Sequence, residues 1–146
     1  MDSQQVEKLE NYQRLHWDVF YKNNNVNFYK DRHYIRYEFK ELEEIKEEQK
    51  CLLDFGCGVG NGFYPLIEHF GYDKLRVNCC DLSKTAIRLV KEHEKFKEEN
   101  VSAFQCDCVN DPIPFEPNTA DYCLFLFVLS AISPDKHLAV MEKLAE

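Results

Sequence analysis

The chain reads as an α/β protein: a doubly wound sheet of about four parallel strands with helices on both faces, behind a helical N-terminal extension. Two observations predict this. Between residues 50 and 146, short apolar runs alternate four times with stretches of helical period, the pattern of a parallel sheet. The first of those runs, "CLLDF", empties directly into "GCGVGNG", which packs four glycines into seven positions. A glycine-rich turn after a buried strand is where such sheets hold their ligands.

The elements follow in order. Val6, Leu9, Tyr12 or Gln13, His16 or Trp17, and Phe20 recur at spacings of three and four, one face of a helix over the first twenty residues. The asparagines of "YKNNNVNFYKD" break it into a loop. From about Asp31, the residues Ile35, Phe39, Leu42 and Ile45 or Lys46 restore the helical period, with Glu41, Glu43, Glu44 and Glu47 on the wet side. "CLLDF" is the first strand, and "FYPLIEHFG" is a short helix that Gly71 stops. "LRVNCCD" is the second strand, and Ser83 caps the helix "KTAIRLVKEHEKF". "VSAFQCD" is the third strand. Three prolines keep "VNDPIPFEPNTA" a loop. "DYCLFLFVLSAI" is expected as a fourth, fully buried strand, and Ser133 and Pro134 as cap and first residue of a last helix, "DKHLAVMEKLA". Residues 1–49 thus form an extension of two short helices joined by an aromatic loop, and residues 50–146 a partial Rossmann-like domain.

Composition narrows the function. Of 146 residues 45% are apolar, enough for one modest core. The longest apolar run, "YCLFLFVLSAI", is well short of the roughly 18 residues a membrane span needs. "MDSQQVEKLENYQ" has neither a secretory nor an organellar targeting plan, which points to the cytoplasm, with the nucleus as a second compartment. Seven cysteines include no C-x2-C pair, so reduced core thiols are expected and no metal site. A net charge of −8 argues against general affinity for nucleic acid. Residues 17–40 depart from that acidity, with five Lys and Arg against three acids.

The glycine pattern selects the ligand. Gly56, Gly58 and Gly60 stand as D-x-G-x-G-x-G behind Asp54; Asn61 occupies the third place of G-x-G-x-x-G, and G-K-[ST] is absent. An acid before the glycines repels a pyrophosphate but suits a ligand with an ammonium and a sulfonium, as in S-adenosyl-L-methionine. Asp81, ending the second strand, is placed for ribose hydroxyls, and Asp107, after the third, for an adenine amino group. Each aspartate taken singly is also an ordinary turn or cap residue. Three in register with the glycine loop favour a Rossmann-like cofactor site.

Beyond these residues, the glycine motif and acid-ended strands resemble the class I methyltransferases. "HWDVFYKNNNVNFYKDRHY", "FGCGVGN", "FQCD" and "FVLSAISPDKH" resemble, more narrowly, the tRNA 3-methylcytidine methyltransferases. That resemblance implies S-adenosyl-L-methionine held by Trp17, Tyr21, Gly56, Asp81, Asp107 and Leu126. Trp17 and Tyr21 lie four apart, so they share a helix face that covers the cofactor, unless Trp17 belongs instead to a core stripe with Val6, Leu9 and Phe20. Lys30, Arg32, His33 and Arg36, interleaved with aromatics, suit an unpaired base and its phosphates, or are the solvated basic face of a helix. The implied reaction methylates N3 of a cytidine in a tRNA anticodon loop. That nitrogen has a free lone pair, so no general base is nominated. The implied partners are tRNA and a helper such as a tRNA synthetase or another tRNA-binding protein. Members of the family continue through three more strands, whereas this chain ends at Glu146. A truncated, inactive cofactor- or partner-binding module is the alternative, and a small-molecule methyltransferase a third.

Overall fold

The computed structural model describes residues 3–27 and 29–146, with the side chains of Val6 and Glu10 excepted. The placing of Val6 on the first helical face, and Phe28 of the aromatic loop, therefore lie outside the described residues. Four strands, β1 (Lys50–Phe55), β2 (Leu75–Asp81), β3 (Val101–Gln105) and β4 (Tyr122–Leu124), form one parallel sheet in the order β3-β2-β1-β4. The register runs Leu52 opposite Val77 and Tyr122, and Val77 opposite Val101. The predicted architecture is the observed one. Each strand ends at the same edge, so the loops after all four converge there.

Strand alternation divides the core between the two faces. Leu52, Val77, Cys79, Val101 and Ala103 point to one side and are covered by α3 (Tyr64–Phe70) and α4 (Lys84–Glu92). Leu53, Phe55 and Cys80 point to the other, against Cys106, Phe115, Phe125 and Leu144 of α5 (His137–Ala145). Helices on both faces explain why the strands read as unbroken apolar runs. The seven cysteines are unpaired, with Cys57, Cys79, Cys80 and Cys106 buried. No helix among the described residues is long and apolar enough to cross a membrane.

Four boundaries differ from the sequence reading. The first helix, α1, is Ser3–Asn24 and runs through two of the three asparagines. Asn24 donates its side-chain amide to the Phe20 carbonyl, and Asn25 takes the left-handed φ of +52° that ends the helix. The expected second helix is one α-turn, α2 (Ile35–Glu38), and a 3-10 turn over Lys40–Lys46; Phe39 is extended between them, while Ile35, Leu42 and Ile45 are still buried. Helix α4 stops at Glu92 because His93 is extended. The long fourth strand is only three residues. Its pairing ends with Leu124 opposite Asp54, one residue before β1 gives way to the glycine loop after Phe55. Ser133 also fails as a side-chain cap: its hydroxyl bonds Asp135, and a 3-10 turn over Pro134–Lys136 precedes α5.

Candidate ligand cleft

The glycine loop, the ends of β1, β2 and β3, the segment after β4 and helix α1 enclose a cleft of about 600 Å³. Of the nine residues that the sequence assigns to a cofactor, Trp17, Tyr21, Asp54, Gly56, Gly58, Asp81, Asp107 and Leu126 line it. Gly60 does not. A Cβ there would lie 2.4 Å from Tyr64 and 3.0 Å from Phe63, with φ at +94°, so its bareness serves the packing of α3. At Gly58, likewise, a Cβ would lie 2.7 Å from the Tyr21 hydroxyl. Much of the bare backbone is thus taken up by the protein's own aromatic rings.

Three carboxylates form the polar floor. Asp81 accepts hydrogen bonds from the Gly58 amide at 2.8 Å and the Ser83 amide at 2.9 Å, which ties the glycine loop to the start of α4. Burial pushes its carboxyl up, and these backbone bonds pull it back. Asp107 accepts from the Val109 amide at 3.0 Å and the Asn110 side chain at 3.0 Å, and lies 3.8 Å from Arg14. Asp54 is buried, and burial together with the Asp81 charge pushes its carboxyl up to about 7, with Arg32 opposing. Among the described residues no hydrogen-bond donor acts on it, in contrast with its two neighbours. A cation entering the cleft would relieve that cost.

The roof is α1. Trp17, Phe20 and Tyr21 pack with Val59 of the loop and with Ala86 and Leu89 of α4. Trp17 and Tyr21 lie 6.3 Å apart between ring centroids, and both face the cleft. The two readings of this stripe meet only in part: Trp17 and Phe20 pack as core and Trp17 and Tyr21 wall the cleft, whereas Leu9 is 52% exposed. Asp18, which the sequence reading missed, fastens the roof. Its carboxylate accepts from the Thr85 amide at 2.9 Å and the Ser83 hydroxyl at 3.1 Å, and it pairs with Lys22 at 2.9 Å. Burial pushes that carboxyl up, but these partners outweigh it and hold the group well below the usual carboxylate range. Gln13 adds a bond to the Ala131 carbonyl at 3.2 Å, spanning the cleft to the segment after β4.

The four basic residues expected to meet RNA do not form one patch. Arg32 lines the cleft, its guanidinium 4.9 Å from the centre of the Phe127 ring. Arg36 faces elsewhere, donating to His69 Nδ1 at 2.7 Å and covering the Tyr37 ring. Lys30 and His33 are exposed outside the cleft lining. Phe127 and Val128 were also missed. Both lie in what the sequence presents as a buried strand, where nothing marks a turn.

A parallel sheet with a glycine loop after its first strand and acids ending the next two defines a Rossmann-like cofactor-binding domain. Comparison with known proteins makes this specific: the methyltransferase domain family matches residues 52–146, and the chain belongs to that family. It is 38% identical over 147 residues to the tRNA N(3)-cytidine methyltransferase METTL6 of Homo sapiens, covering 94% of this chain and 50% of that one. The chain spans about half the length of the curated relatives it matches. Among solved structures, the PH0226 protein from Pyrococcus horikoshii OT3 aligns with a TM-score of 0.58 and 26% identity, over 86% of this chain and 58% of that one. PKMT2 from Rickettsia typhi, solved in complex with AdoHcy, aligns with a TM-score of 0.54 and 26% identity, over 78% and 22%.

Proposed function

We propose that this chain is an S-adenosyl-L-methionine-dependent methyltransferase that modifies N3 of a cytidine in the anticodon loop of tRNA. The observation that carries the reading is the meeting of Asp54, Asp81 and Asp107 with Gly56 and Gly58 in one cleft, roofed by Trp17 and Tyr21. The likeness to relatives named as tRNA cytidine methyltransferases supports the substrate.

The cleft residues fit the cofactor. Asp54, buried beside the Asp81 charge, would take the ammonium group. Asp81 would accept from the ribose hydroxyls with its remaining lone pairs, since each carboxylate oxygen accepts more than one bond. Asp107 would accept from the adenine amino group, with Leu126 an apolar wall beside it. Trp17 and Tyr21 would exclude water from the sulfonium and attract it through their ring faces. S-adenosyl-L-methionine supplies an electrophilic methyl group, which a nitrogen with a free lone pair accepts without prior deprotonation. The work left to the protein is orientation and electrostatics.

The net charge of −8 supports the need for a basic helper, such as a tRNA synthetase or another tRNA-binding protein, to gather the RNA. A cytoplasmic or nuclear setting follows from the substrate. The test is incubation of the chain with tRNA and S-adenosyl-L-methionine carrying a labelled methyl group, followed by nucleoside mass spectrometry. Labelled 3-methylcytidine is expected, and label on another nucleoside would overturn the assignment of the base.

A further inference from the structure

Phe127 follows the last paired residues of β4 and holds a backbone φ of +60°. That left-handed conformation is costly for a residue with a bulky side chain. The residue is also 73% exposed, so the strain gains little burial. Two unfavourable features at one position call for a cause. The segment fixes both. Leu126 and Val128 turn inward to line the cleft, and Val128 occupies the space that a Cβ on Gly56 would need, 2.3 Å from its Cγ2. Phe127 lines the same cleft between its two neighbours, and its exposure places it at the mouth. Its carbonyl accepts the Ser130 hydroxyl at 3.0 Å, and the Val128 carbonyl accepts the Ala131 amide at 2.9 Å.

Arg32 completes the arrangement. Its guanidinium stands over the ring, its own amide donates to the Asn61 carbonyl at 2.8 Å, and its Nη1 donates to the Tyr34 hydroxyl at 3.3 Å. The cation is therefore held in place on one side of the ring, and the ring remains largely open to solvent. An open aromatic face backed by arginine is what an unpaired base stacks on.

We propose that Phe127 is the stacking platform for the target base, with Arg32 as the residue that positions the ring. This rests on the RNA-methyltransferase reading above and adds a substrate contact to it. Stacking is sequence-tolerant, so Phe127 would hold the base in place while discrimination comes from other groups.

The test uses an RNA anticodon stem-loop carrying pyrrolocytidine, whose emission falls on stacking, at its unpaired loop cytidine. Emission and RNA affinity are read for the chain and its Phe127→Ala, Phe127→Gly and Phe127→Trp variants, with calorimetric affinity for S-adenosyl-L-methionine measured alongside. The expected result is quenching by the parent and by Phe127→Trp, and its loss in Phe127→Ala together with a roughly tenfold to hundredfold weaker RNA affinity. Phe127→Gly relaxes the strained backbone, and a platform role predicts that it is as defective in quenching and in RNA affinity as Phe127→Ala. Equal quenching and affinity in parent and Phe127→Ala would overturn the platform alone. Parent-like behaviour of Phe127→Gly would do the same, by assigning the effect to the loop's backbone. A parent chain that binds the cofactor but not the stem-loop would overturn the RNA reading and the platform with it.

Discussion

Asp54 shows how one side chain couples the fold to the ligand. Its carboxyl, pushed up to about 7 by burial and the Asp81 charge, is largely protonated below that pH. An ammonium ligand needs the ionised form, so binding must expel the proton. S-adenosyl-L-methionine affinity should therefore weaken as pH falls below about 7, approaching tenfold per pH unit. Calorimetry between pH 5.5 and 8.5 checks this, and Asp54→Asn should remove the slope. Asp18 has the opposite sign. Its carboxyl is held low, so its contribution is complete above the usual carboxylate range and is lost on acidification. Asp18→Ala removes the acceptor for the Thr85 amide and the Ser83 hydroxyl. It should cost about 1–2 kcal/mol in urea denaturation at neutral pH. The three floor acids were legible because strand ends can be counted from the sequence. Asp18 was not, since its partners lie 65 and 67 residues away. Phe127 was not, because a left-handed turn has no signature in an apolar run.

Elements decided by local chemistry are legible in the sequence. Strand β2 matches residue for residue, and Ser83 caps α4 by accepting from the Ala86 amide. Elements decided by a partner are not. The segment 121–132 has the composition of a buried strand, yet its pairing with β1 ends at Leu124. The glycine loop was legible as a ligand turn, but its division of labour was not. Gly60 is bare for Tyr64 and Phe63, and Gly58 for the Tyr21 hydroxyl. Gly60→Ala should accordingly destabilise the fold by roughly 2–4 kcal/mol, from overpacking and a strained φ together. A fall of several degrees in Tm by differential scanning fluorimetry would register it.

Across the whole molecule, the extension and the sheet act as one site. Helix α1 reaches the cleft through Trp17 and Tyr21, grips α4 through Asp18, and touches the far side through Gln13. The sequence showed a helix with aromatics at helical spacing. It could not show which helix those aromatics would meet, and so left roof and core stripe as alternatives. The chain has a single tryptophan, and it lies in that roof. Trp17 emission is thus a built-in reporter of the cleft. The deciding measurement is a fluorescence titration of the chain with S-adenosyl-L-methionine. A saturable change in Trp17 emission, lost in Asp107→Ala, is the predicted result. Unchanged emission from a folded chain, up to millimolar cofactor, would contradict a cofactor site beneath α1.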